Sequence, residues 1–302
     1  MIRIGSRGSQ LALWQANHIA EALRTHGHEV GIEIIRTTGD RMQEITFAQV
    51  GTKGMFTKEL EEALIEGRID LAVHSLKDLP TEIASEFALA AFPERADPRD
   101  AFVSVDYQSI FELPAGAKVG SSSPRRQAQL RYLRRDLEYI EFRGNVDTRL
   151  RKLQEGQAQA IILAASGLDR LGRTEWIRQR FDPEHLCPAP GQGALAIECR
   201  VDDASTQRAI TFLDHPDTRF AVTAERAALS ALGGGCQVPI GLYCNRSGDT
   251  FFLGGVVASL NGNSHVMARM PGSDPGELGL SLAAQLFTNG ADAILFAGKQ
   301  ES

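Results

Sequence analysis

Apolar positions along this chain alternate between two spacings. "IRIG" (2–5) is a short apolar run, and "SQLALWQANHIAEALRTHG" then places apolar residues at helical spacing, with Gly27 as a stop. "VGIEIIRT" (30–37) reads as a strand, "FTKELEEALIEGR" (56–68) as a helix and "IDLAVHS" (69–75) as a buried strand. This βαβ rhythm predicts an α/β lobe, a parallel or mixed sheet with helices on both faces. The charged, proline-bearing "ERADPRD" (94–100) reads as a hinge, after which the rhythm restarts in "AKVGSSSPRRQAQLRYLRR", "LEYIEFRGNVDTRLRKLQEG" and "AQAIILAASGLDRLG". A second α/β lobe therefore fits residues 99–187. "CPAPGQGALAIECR" (187–200) reads as a crossing whose strand returns to the first lobe, giving that lobe residues 1–93 and 194–212. From residue 214 the pattern changes to one helix (215–232), three strands ("VPIGLYC", "TFFLGGVVAS", "HVMARM") and a late helix (276–289), a small α+β domain over 214–302.

The chain has 302 residues, 43% hydrophobic and 23% charged, with a net charge of −6, which does not point to wholesale nucleic-acid binding. No apolar run approaches the ~20 residues needed to cross a bilayer. The N-terminus enters a strand directly, so a cytoplasmic protein is expected. Cys187, Cys199, Cys236 and Cys244 are scattered without a CxxC, and no HxxxH or HExxH occurs, so neither a metal site nor a disulfide framework is expected. Arg outnumbers Lys 26 to 6, and twelve arginines fall between residues 125 and 180. Most read as solvated helix faces. Those at strand ends are candidates for forked binding of carboxylate or phosphate.

Four stretches carry candidate chemistry. In "VHSLKDLP" a buried strand ends in Ser75, Lys77 and Asp78, where α/β sheets gather ligands; the alternative is a plain surface turn. In "GSSSPRRQAQL" three serines precede Pro124 at a helix start, followed by Arg125 and Arg126, so N–H groups, hydroxyls and guanidiniums converge on an anion site. The alternative there is an ordinary serine cap with solvent-facing arginines. "FRGNVDTRL" adds Arg143 and Arg149 as a second basic cluster. In "LGGGCQVPIG" Cys236 follows Gly233 to Gly235, on a loop with little side-chain cover, as a thiol for nucleophilic use or for covalent attachment. The other cysteines read as small buried hydrophobes. "GQGALA" (191–196) lacks the setting of a dinucleotide fingerprint. Trp14 and Phe56 read as core.

Taken together, "IRIGSRGSQLALWQA", "VGTKGMFTKELE", "DLAVHSLKDLP", "ERADPRDAFVS", "SSPRRQAQL", "RGNVDTRL", "AIILAASGLDRLG", "PGQGALAIECR" and "GGCQVPIG" resemble the porphobilinogen deaminase (hydroxymethylbilane synthase) family over nearly the whole chain. The resemblance implies two lobes like those of periplasmic binding proteins plus a small α+β domain. It implies a transferase of tetrapyrrole synthesis that condenses four porphobilinogen molecules head to tail into hydroxymethylbilane, releasing ammonia. It further implies a dipyrromethane cofactor held by a thioether to Cys236, no metal, no nucleic-acid or membrane partner, and a monomer. Carried over residue by residue, Asp78 matches the catalytic aspartate, beside Lys77 and Ser75. Arg7, Ser9, Asp40 and Lys53 match substrate or cofactor contacts, and Phe56 an aromatic near the pyrroles. Ser121, Ser123, Arg125, Arg126, Arg143, Arg149 and Arg170 match holders of acetate and propionate groups. Gln49, Pro124 and Asp147 depart from the family pattern, Asp147 by placing a carboxylate near the anion site. Two rivals are a two-lobed polyanion-binding module without catalysis and a phosphotransferase using the serine loop, the latter without GxxxxGK[ST].

Overall fold

The computed structural model describes residues 1–37, 57–234 and 238–297. In chain order the elements begin with β1 (Ile2–Ser6), α1 (Gln10–Thr25), β2 (Val30–Ile34), α2 (Lys58–Ile65), β3 (Leu71–Ser75) and β4 (Phe87–Ala91). There follow β5 (Asp100–Val103), β6 (Lys118–Gly120), α3 (Pro124–Leu133), β7 (Glu138–Ile140), α4 (Val146–Gln154), β8 (Ala160–Ala164), α5 (Ala165–Arg170) and β9 (Ile177–Arg180). The last are β10 (Leu195–Arg200), α6 (Ala204–Ile210), α7 (Pro216–Ala231), β11 (Ile240–Ser247), β12 (Thr250–Ala258), β13 (His265–Gly272), α8 (Pro275–Thr288) and α9 (Ala291–Ala297). They form two units, residues 1–95 with 194–219, and 96–193 with 220–302.

In the first unit the sheet order is β2-β1-β3-β10-β4. β1 runs parallel to β2 and β3, while β10 returns from far along the chain to pair antiparallel with β3 and β4. The period of 2 along a strand sorts side chains to the two faces. Leu71, Val73, Ile197 and Cys199 pack beneath α1 with Ala16, Ile19, Ala20 and Leu23. Ala72 packs on the opposite face with Leu60, Ala63 and Leu64 of α2. α1 stops where Gly27 takes a φ of 83°, a left-handed value that glycine adopts freely.

The second unit holds two sheets. One has the order β7-β6-β8-β5-β9, parallel from β7 to β8 and antiparallel at β5 and β9. Its faces are covered by Leu130 of α3 on one side and by Leu150 and Leu153 of α4 on the other. The other is the antiparallel meander β11-β12-β13, packed on α7 and α8 through Ala224, Ala228, Leu242, Leu253, Leu282 and Leu286. It meets α3 through Ala128, Cys187, Val256 and Ala258. The chain is thus mixed α/β, two sheet-and-helix lobes with a small three-stranded domain. Within each lobe the stretches singled out above leave the carboxyl ends of strands: Ser75 to Asp78 after β3, Ser121 to Ser123 after β6, Arg143 after β7 and Arg170 after β8.

Candidate functional site

In the first unit, β3 ends in a single 3₁₀ turn over Leu76–Asp78, closed by the Leu79 amide donating to the Leu76 carbonyl at 3.1 Å. Buried Leu76 anchors the turn, and exposed Asp78 stands at its tip. A pocket of about 80 Å³ is lined there by Arg7, Ser9, Gln15, Thr57, Ser75 and Asp78, among others. Gln15, buried on α1, donates to the Ser75 hydroxyl at 2.8 Å and so fixes that side chain. The Ser9 hydroxyl caps α1 by accepting from the Ala12 amide at 3.3 Å. Among the described residues the Asp78 carboxylate has no hydrogen-bond or ion-pair partner. A carboxylate left free on a pocket wall is able to offset a cation and to take a proton. Lys77, in the same turn, has an interaction of its own.

In the second unit the serine loop is not an ordinary cap followed by solvent-facing arginines. Pro124 is the first helical residue of α3, yet the Ser123 hydroxyl makes no cap bond. Instead the Ser121 hydroxyl accepts from the Ser123 amide at 3.3 Å, and the Ser122 hydroxyl accepts from the Phe142 amide at 3.1 Å. Arg125 and Arg126 are not solvent-facing: both are buried against Asp100, which has no exposed surface at all. Arg125 Nη1 donates to Asp100 Oδ2 and to the Cys187 carbonyl, each at 2.7 Å. Arg126 Nε and Gln192 Nε2 each donate to Asp100 Oδ1 at 2.9 Å. Burial pushes the Asp100 carboxyl up, but the two guanidiniums outweigh it and hold the group well below the usual carboxylate range.

Arg149 is different. Its Nε is buried with no hydrogen-bond partner. Burial, followed by the positive charge of Arg126 and of Arg143, pushes its guanidinium down to about 10. A half-buried cation with a buried, unpartnered Nε and cations for charged neighbours calls for an anion. Arg143 is held by Glu141, its Nε donating at 2.8 Å, where the chain turns at Gly144 with a φ of 122°. Arg170 Nη2 donates to the Gly193 carbonyl at 2.7 Å, and burial pushes its guanidinium down to about 10 as well. Asp147 turns away from this cluster to pair with Arg173 at 3.3 Å, on the favourable first turn of α4.

Asp40, Gln49, Lys53, Phe56 and Cys236 lie outside the described residues. Cys187, Cys199 and Cys244 are buried, and burial pushes the Cys199 thiol up to about 11. The reading of Trp14 as core is corrected: it is 38% exposed and stacks on His18 one helical turn on, on the outward face of α1. Buried polar residues that sequence reasoning missed include Asp100, His74 and Glu198. The signal available was a lone acid inside an apolar strand, Glu198 in "ALAIEC" and Asp100 opening "DAFV".

Two family models match the chain: "Porphobilinogen deaminase, dipyromethane cofactor binding domain" over residues 2–208, and "Porphobilinogen deaminase, C-terminal domain" over residues 219–288. Relatives named porphobilinogen deaminase include that of Trichlorobacter lovleyi, 50% identical over 97% of this chain and 95% of its own length. Those of Geobacter sulfurreducens and Methylobacillus flagellatus are each 49% identical over 97% of this chain and 93% and 96% of theirs. Among solved structures, the methionine-binding protein MetQ aligns at 13% identity and a TM-score of 0.45, over 70% of this chain and 89% of that one.

Proposed function

The chain belongs to the porphobilinogen deaminase family, and from that premise we propose that Asp78 is the residue on which its reaction turns. The enzyme joins four porphobilinogen molecules head to tail and releases hydroxymethylbilane. The observation that carries the role of Asp78 is its free carboxylate on the wall of the β3 pocket. When the aminomethyl group of porphobilinogen loses ammonia, the pyrrole nitrogen shares the positive charge left on the methylene carbon. Asp78 stabilises that cation. After the carbon–carbon bond forms, the same carboxylate takes the proton that the attacking ring carbon must lose. Ser75, held by Gln15, together with Lys77, Arg7 and Ser9, orients the reacting ring.

The residues present fit a dipyrromethane cofactor, whose rings carry acetate and propionate groups. The buried Arg149 Nε without a partner supports this, because a carboxylate supplies what that guanidinium lacks. Arg143, Arg149, Arg170, Ser121 and Ser123 would hold such groups, with Arg125 and Arg126 as the ion-paired floor beneath. The cofactor, when bound, supplies the free pyrrole position from which the chain grows. Cys236 would hold it by a thioether, with Asp40, Lys53 and Phe56 as further contacts. The two sheets of the second unit support reading it as two domains, 99–187 and 214–302. Family resemblance supports a cytoplasmic monomer. No described helix is long and apolar enough to cross a membrane.

Intact mass tests the cofactor assignment. The purified protein is expected to exceed its sequence mass by two porphobilinogen units less the ammonia they lose. Cys236→Ala is expected to show the bare mass and no activity. An adduct surviving in Cys236→Ala would move the anchor to another residue.

A further inference from the structure

The strand that ends at the pocket carries a buried polar pair on its other face. Ser75 points toward α1 and Gln15, whereas His74 and Glu198 lie on the face beneath α2, by the same alternation that sends Ala72 there. His74 Nε2 lies 2.9 Å from Glu198 Oε2, and both side chains are buried, 7% and 0% exposed. The other Glu198 oxygen is buried with no partner, which leaves the imidazole as the group that satisfies this carboxylate. Glu61 of α2 lies close enough to feel both charges, its carboxyl pushed up by burial first and further by Glu198.

The pair spans the β3–β10 ladder diagonally, His74 one rung from its end and Glu198 two rungs further back, opposite Ala72. His74 is the register partner of Ala196, Ser75 of Leu195, and the Leu76 amide donates to the Ala194 carbonyl at 3.1 Å. Beyond that bond the chain enters the turn that bears Asp78. His74 itself lines the pocket. An apolar side chain would serve the packing under α2 at lower cost, since burying polar groups costs free energy that hydrophobic residues of similar volume do not incur.

We propose that His74 and Glu198 are positioning residues for the reaction: their hydrogen bond clamps β3 to β10 and so fixes where Ser75 and Asp78 stand on the pocket wall. This rests on the reading of Asp78 as the catalytic carboxylate. Misplacement of a reacting group by about 1 Å costs roughly 10²-fold in rate.

The test replaces both partners at once, because an apolar pair leaves no buried charge stranded and the fold is retained. His74→Leu/Glu198→Leu is compared with Glu198→Gln and His74→Gln, each of which keeps a donor–acceptor pair in place. For the holoenzyme the expected result is a kcat about 10²-fold lower in the double-Leu variant, with KM, adduct mass and Tm close to wild type. Both Gln variants are expected to retain most of kcat. A folded double-Leu variant with wild-type kcat overturns the proposal. If the double variant does not fold, a folded His74→Gln protein decides: retained kcat supports the clamp, and a loss beyond about tenfold overturns it. Asp78→Asn assayed in parallel separates the two readings. If Asp78→Asn is inactive while double-Leu is active, only the clamp fails; if Asp78→Asn is active, the catalytic assignment fails.

Discussion

Replacing Arg125 or Arg126 with Leu strands Asp100, a fully buried carboxylate, with half of its charge compensation gone. The expected cost is about 3–5 kcal/mol of folding stability, read as a fall in Tm and not merely as a loss of bound pyrrole. Arg149→Leu is expected to behave in the opposite way, because it removes a half-buried cation with a buried, unpartnered Nε that no described carboxylate pairs with. Its Tm should hold or rise while cofactor content or chain growth falls. Thermal unfolding and intact mass on the same preparations separate the two classes, and equal Tm losses in all three variants would refute the distinction. The ion pair also has a pH signature. Asp100 is a stronger acid folded than unfolded, so its contribution is fully present above the unfolded value of about 4 and is lost as pH falls below it. The stability gap between wild type and Asp100→Asn should be flat above about pH 4 and shrink below. The strand end and polar turn that bear Asp78 were legible in the sequence, whereas spacing alone left a plain surface turn open there and only the family resemblance pointed to a role for that carboxylate. The burial of Arg125 and Arg126 was not legible, because their partner lies 25 residues away at the head of a strand of four.

Among the elements, β10 shows how a glycine places a strand. Gly193, just before it, has a φ of 87°, and a Cβ built there would lie 2.5 Å from the Ala96 carbonyl oxygen. Gly193→Ala therefore combines a left-handed backbone with a clash against main chain, an expected loss on the order of 1–3 kcal/mol. Gly167, inside α5 with open space where its Cβ would stand, is the control: Gly167→Ala should leave stability unchanged or raise it by about 0.5–1 kcal/mol. Chemical denaturation of both variants checks the contrast, and equal effects would contradict it. α1, with four turns of apolar spacing and a glycine stop, could be read from sequence nearly residue for residue. β4, β5, β9 and α6 could not. "DAFV" and "IRQR" are four residues each, too short to show a period, and β9 is an edge strand whose charged side chains hide its alternation.

At the scale of the whole molecule, repetition of the βαβ rhythm predicted two lobes, and the return of β10 to the first sheet was readable as a long apolar strand after a Pro/Gly-rich crossing. The antiparallel direction of β10 in the first sheet and of β5 in the second was not readable, because strand direction follows from connection geometry rather than from side-chain pattern. The direction of β10 matters for the chemistry: β10 flanks β3, and Ala194 just before it accepts the last backbone bond before the Asp78 turn. The account stands or falls on that carboxylate. The most direct measurement is the rate of hydroxymethylbilane formation by Asp78→Asn protein whose intact mass shows the pyrrole adduct in place. The account predicts folded, adduct-bearing protein with kcat lower by about 10²–10³-fold, because the amide neither offsets a cation nor accepts a proton. A rate near that of the wild type in the same preparation would contradict it.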